Sequence, residues 1–218
     1  MANNFGLMAA LLSVEGADLL DCDIGKLELA AQWGVKCINI TWNRANKLSG
    51  SCVEEPERGL SEEGKAFVRR AQELGILIDV SHLSDAGFRD VAEISCGPII
   101  ASHSNSRAIC PHPRNLTDEQ FRTIVAMRGF VGINFYADFV GNPATPEKLV
   151  EHIQHFLDLG GEHTLGFGAD WDGCDTLVEG IQGVQDLPQL LPALRAKKYK
   201  EKFLSDLFYG NLLAVLKR

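Results

Sequence analysis

The stretch ILIDVSHLSDAGFRDVAEISCGPIIASH, residues 76–103, contains one complete structural repeat and the start of the next. Ile76–Ser81 is an apolar run of strand length that ends in His82. Asp85–Ile94 reads as an amphipathic helix, Gly97 ends it, and a second apolar run, Pro98–Ser102, ends in His103. A strand, a helix and a strand in that order specify a parallel pair with a crossover helix. Each strand therefore delivers an imidazole at its exit.

The same unit recurs on both sides. Strand-like runs occupy Gly6–Val14, Val35–Thr41, Phe130–Phe135 and Thr164–Ala169, in addition to the two above. Five of the six are continuously apolar rather than alternating, the pattern of strands covered on both faces. Leu60–Leu74, Thr117–Met127 and Pro146–Leu159 are read as helices, with Thr117 and Gln120 at capping-box spacing, and Asp186–Lys198 and Lys200–Arg218 as closing helices. Gly97, Gly129 and Gly160-Gly161 are assigned to helix exits. Gly210-Asn211 is unusual inside a helix and is read as a packing or capping point.

Six βα units suit either a doubly wound sheet or a (β/α) barrel short of its eight strands. The polar residues favour the barrel. Glu15, Trp42, His82, His103, Tyr136 and Asp170 each stand at or just beyond the C-terminal end of a different run, and in a barrel those ends converge on one mouth. No GxGxxG follows the first run, and Gly166-Phe167-Gly168 lies inside the last, so a dinucleotide site has little support. The expectation is an α/β fold, a TIM-like but incomplete barrel, as a single domain over 1–218.

Composition narrows the function. With 21 Lys+Arg against 29 Asp+Glu, a net charge of −8 argues against a nucleic-acid partner. No run approaches the ~20 apolar residues of a membrane helix, and the start lacks a basic segment before its apolar stretch. The six cysteines show no CxxC pairing and read as reduced thiols, which leads to the expectation of a cytoplasmic protein without a membrane partner.

Two histidines at neighbouring strand exits can reach one ion, since adjacent strands lie about 4.8 Å apart. Glu15 is either a carboxylate ligand at a strand exit or a helix-start residue favoured by the macrodipole. Asp170-Trp171-Asp172-Gly173 is either a turn or the seat of an acid/base carboxylate. Arg114 is either a solvated loop charge or a guanidinium fork for a substrate carboxylate.

These residues meet in one known pattern. Ser13-Val14-Glu15-Gly16, Asp79-Val80-Ser81-His82, Ser102-His103-Ser104-Asn105, Arg114-Asn115-Leu116 and Gly166-Phe167-Gly168-Ala169-Asp170-Trp171-Asp172-Gly173 stand in the order seen in the membrane (renal) dipeptidase family of zinc peptidases, which the chain resembles over essentially its whole length. The resemblance implies a (β/α)₈-type barrel with two zinc ions per site bridged by a glutamate. It implies Glu15, His82 and His103 as metal ligands, Arg114 as the grip on the substrate's carboxylate, and Asp170 as the proton carrier. Trp42 and Tyr136 complete the substrate-binding set. Hydrolysis of a dipeptide by a metal-bound hydroxide is the implied reaction.

Two departures qualify it. The family's first-strand His-x-Asp pair does not occur upstream of Glu15, so the six units match family strands three to eight and at most one well-held zinc is expected. Trp42 stands where many members carry a histidine. Two other readings follow: a non-catalytic remnant or one piece of a split enzyme, whose open edges invite a second copy or a complementing chain, and a different metal-dependent amidohydrolase.

Overall fold

The computed structural model describes residues 10–217 and divides into two compact units, 1–96 and 97–218. In the first unit, β1 (Leu12–Val14), β2 (Val35–Asn39) and β3 (Leu77–Asp79) pair in that order, all parallel. Helices α1 (Leu27–Gln32), α2 (Glu62–Glu73) and α3 (Asp85–Ile94) accompany them. In the second unit, β4 (Ile99–Ala101), β5 (Phe130–Ile133) and β6 (Leu165–Phe167) are likewise parallel and consecutive. Helices α4 (Asp118–Ala126), α5 (Ala137–Val140), α6 (Pro146–Asp158), α7 (Leu191–Ala196), α8 (Glu201–Ser205) and α9 (Asn211–Leu216) complete it.

All six expected runs contain a strand, although residues 6–9 of the first lie outside the described residues. In β2 to β6 the paired portion is shorter than the apolar run, and the chain leaves the ladder before the run ends. Those departing residues carry the polar side chains. Strands β2 to β6 are largely buried, as continuous apolar runs require, whereas β1 departs from this, with Leu12 51% exposed.

The principal helices start where side-chain caps dictate. Ser61, Ser84, Thr117 and Thr145 each accept a bond from the backbone N–H three residues on, and Thr117 with Gln120 forms the full capping box. Phe67, Val68 and Ala71 of α2 are fully buried, as are Leu149, Ile153 and Phe156 of α6. Burial of a large apolar side chain contributes about 1.5–3 kcal/mol. Phe121 of α4 stacks on Phe156 at 4.0 Å between ring centroids, locking α4 to α6.

Two sequence expectations need correction. Gly129 is not the left-handed exit of α4: Arg128 takes that conformation, at φ 54°. An ideal Cβ on Gly129 would lie 2.0 Å from the Ile99 carbonyl oxygen, so this glycine permits close approach of the chain to β4. The closing segments are also more broken than a pair of α-helices. Val184–Leu190 is a 3₁₀ turn containing Pro188, and a π turn, Asp206–Gly210, separates α8 from α9. Asn211, just after that turn, donates to the carbonyls of Glu162 and Leu165 and ties α9 to the start of β6. This is the packing point read from the sequence.

His152 on α6 is fully buried: its Nδ1 accepts the Ser106 N–H at 3.0 Å and its Nε2–H donates to the Val140 carbonyl at 2.9 Å. Burial above all pushes its pKa down to about 4, so the folded protein holds it neutral while the unfolded chain protonates it near 6.5. The unfolded state binds the extra proton between those values, and stability therefore falls as pH drops from about 6.5 to about 4, by about 3 kcal/mol from this group. Urea titrations across that window should show the decline, and His152→Gln should flatten it; an unchanged slope in the variant would remove His152 from this role.

Candidate metal and substrate site

Each residue singled out at a strand exit is where the sequence placed it. In the first unit, Glu15 directly follows β1, and Gly16 turns the chain at φ 98°. His82 lies just past β3 in the left-handed region, at φ 71°, a conformation uncommon for any residue but glycine. Its carbonyl is held there by the Cys52 N–H at 2.9 Å and the Thr41 hydroxyl at 3.4 Å. Such strain persists where surrounding bonds over-determine it.

The His82 ring is 7% exposed, with Nε2 3.0 Å from Glu15 Oε1 and Nδ1 3.0 Å from Asn43 Oδ1. An amide oxygen only accepts, so Nδ1 carries the proton. With Nδ1 committed to Asn43, Nε2 is the nitrogen that faces the Glu15 carboxylate, an arrangement suited to a cation between them. Trp42 is half exposed, its ring 6.5 Å from that of His82.

In the second unit the chain brings together His103, Arg114, Tyr136 and Asp170. His103 follows β4, with its Nδ1 2.7 Å from Ser102 Oγ. Its carbonyl accepts from Arg114 Nη2 at 3.4 Å and Asn134 Nδ2 at 3.5 Å. Arg114 is buried, its guanidinium 5.2 Å from the centre of the Phe139 ring. Tyr136 and His112 pack on the same ring at 4.7 and 4.6 Å. A cationic fork over an aromatic platform is a suitable carboxylate grip.

Asp170 also takes a left-handed conformation, φ 61°, and its Oδ2 accepts from Asn134 Nδ2 at 3.2 Å. Burial lowers the pKa of His112, with a contribution from the nearby Arg114 charge. Its neutral Nδ1 accepts the Arg114 N–H. Burial, Asp138 and Asp175 raise the Tyr136 phenol, which stays a neutral donor.

Sequence reasoning missed Asn43 and Asn134. Asn134 interrupts the apolar run Phe130–Phe135 and is fully buried. A lone amide inside an apolar strand has to find internal partners, and that signal was legible. Asn43 lies in an irregular loop and carried no such signal.

The comparisons with known proteins agree on one family. All of residues 1–218 match the family described as membrane dipeptidase, peptidase family M19. A Klebsiella pneumoniae protein encoded 5′ of pqqA is 36% identical, over 97% of this chain and 82% of its own length. An uncharacterized dipeptidase of Schizosaccharomyces pombe is 31% identical over 86% of this chain but only 47% of its own. The crystal structure of a Rhodobacter sphaeroides metallo peptidase, liganded with a phosphinate mimic of the dipeptide L-Ala-D-Ala, superposes with a TM-score of 0.89 and 35% identity. That match covers 95% of this chain and 62% of the solved one.

Glycines set the spacing behind His103. Ideal Cβ atoms on Gly132 and Gly168 would lie 1.9 and 1.7 Å from the Ser102 carbonyl oxygen. Gly168→Ala should lower stability by about 2 kcal/mol or more, since backbone cannot yield as a side chain does. Gly97→Ala, with open space around it, should be silent in the same denaturation experiment. Equal behaviour of the two variants would refute the close-packing account.

Proposed function

Because the chain belongs to the membrane dipeptidase family, peptidase family M19, and carries its fold as an incomplete TIM-like (β/α) barrel, we propose that it is a zinc-dependent dipeptidase with Glu15, His82 and His103, the residues at the family's motif positions, as metal ligands. Family and structural relatives support a metallo dipeptidase. The observation that carries the metal assignment is the 3.0 Å approach of His82 Nε2 to the Glu15 carboxylate, with Nδ1 committed to Asn43. Imidazole and carboxylate are donors zinc favours, and the His82–Glu15 pair fits that chemistry. The three proposed ligands supply one ion per chain, which is the proposed stoichiometry.

A divalent ion there supplies polarisation of the scissile carbonyl and an acidified water. The remaining work falls to the chain. Arg114 binds the C-terminal carboxylate of the dipeptide and sets its register. Tyr136, a neutral donor, and Trp42, half exposed, bound the substrate. Asp170 takes the proton from the attacking water and returns it to the leaving amine. The proposed class is a small peptide substrate, with neither nucleic acid nor membrane as a partner.

A second reading rests on β1, whose Leu12 is 51% exposed and whose ladder partner is β2. In that reading the fold binds metal but needs a further strand from another segment for turnover. Metal analysis and an L-Ala-D-Ala assay on the same sample separate the two.

Purified protein should bind about one zinc and lose turnover on chelation, with zinc restoring it. Metal binding without turnover would favour the second reading, and the absence of metal binding would reject both. Asp170→Asn should lower kcat by about 10²-fold or more with KM little changed. Arg114→Ala should raise KM for a free dipeptide about 10- to 100-fold relative to its C-terminal amide, the worth of a charge-assisted bond. An unchanged acid-to-amide preference would take Arg114 out of the site.

A further inference from the structure

Asn134 has no assigned role, yet its side chain touches two of the proposed site residues. Its Oδ1 accepts the Tyr136 N–H at 2.6 Å, which fixes the amide plane and turns Nδ2 the other way. Nδ2 then spends one hydrogen on Asp170 Oδ2 and the other on the His103 carbonyl. The residue is fully buried, so the amide has no water with which to exchange these bonds.

The backbone of Asn134 is held with equal care. Its N–H donates to Asn105 Oδ1 at 3.0 Å and its carbonyl accepts from Asn105 Nδ2 at 2.9 Å, so one side-chain amide replaces a neighbouring strand. The Asn105 N–H in turn donates to Asn115 Oδ1 at 3.2 Å. Asn115 Nδ2 donates to the carbonyls of Cys110 and Phe139. All three asparagines are at most 1% exposed. They form a continuous chain of amides from the loop that bears Arg114 to the carboxylate of Asp170.

We propose that Asn134 is the positioning residue for Asp170, aiming its carboxylate from a frame shared with Arg114. The inference rests on the dipeptidase reading for its kinetic consequence, though not for its structural one. Asp170 stands on a loop, in a left-handed conformation. A neutral amide restrains it without placing a positive charge beside the carboxylate. With Oδ2 engaged, the orientation of the group is set before substrate arrives.

The test compares Asn134→Ala and Asn134→Thr with the wild type. The threonine hydroxyl retains an acceptor for the Tyr136 N–H but is too short to reach Asp170, which keeps the question answerable if the alanine variant fails to fold. In crystal structures of the folded variants the Asp170 carboxylate should leave its wild-type position while Arg114 and His103 superpose. An unmoved carboxylate overturns the proposal, whether or not the protein is active. In kinetics, kcat should fall about 10- to 100-fold at constant KM in the wild-type background, the size expected for a bond to a charged group. In an Asp170→Asn background the same substitution should cost little, because the group it positions is already gone. Equal losses in both backgrounds would mark Asn134 as merely structural and refute the assignment. Absence of turnover in the wild type would reject the dipeptidase reading and leave the crystallographic comparison to decide this one.

Discussion

A buried amide or imidazole must have its hydrogen bonds made inside the protein, and the working ends of the strands depend on that constraint. Leaving one such group unpaired costs about 1–3 kcal/mol. The apolar strands carry polar residues at or beyond the ends of their ladders into positions that are still enclosed: Asn39, His82, His103, Asn105 and Asn134 are all under a tenth exposed. Each has a partner that fixes it. The Asn39 side chain donates to the Ser81 carbonyl, just before His82, and thereby ties the exit of β2 to that of β3. The same economy gives Asn105 the role of a strand, satisfying both backbone groups of Asn134.

Close backbone approach is the second element. β4 and β6 lie near enough to β5 that glycine alone fits at positions 132 and 168, on either side of the Ser102 carbonyl. Gly173 does similar work for Asp170: an added Cβ would fall 2.2 Å from its Oδ1. The GFGADWDG motif is thus a packing motif as well as a chemical one. Gly168 lets backbone come close, Gly166 and Gly173 make room for the Phe130 ring and the Asp170 carboxylate, and Asp170 takes a left-handed turn.

Strain and stability are distributed accordingly. The helices are secured by local caps and by buried aromatic and aliphatic faces, and those terms hold the scaffold. His82 and Asp170, both left-handed without being glycine, occupy conformations that the scaffold imposes on them. In the dipeptidase reading these two are the residues whose direction matters most for chemistry, one as ligand and one as base.

The sequence by itself determined the order of the strands and the starts of the principal helices, and it nominated the residues proposed for the chemistry. These are local signals: an apolar run of strand length, a Ser or Thr cap before a periodic segment, a histidine or aspartate after a strand. It also carried the family, through motifs whose order survives in one chain. It did not disclose which residues hold those side chains in place. Asn43 meets His82 39 positions away, Asn134 meets Asp170 36 positions away, and neither pairing leaves a periodic trace. Nor did it disclose that Gly129 serves close approach. Partner choice for a buried polar group is decided by which strands become neighbours and how closely, and that is settled when the tertiary structure forms.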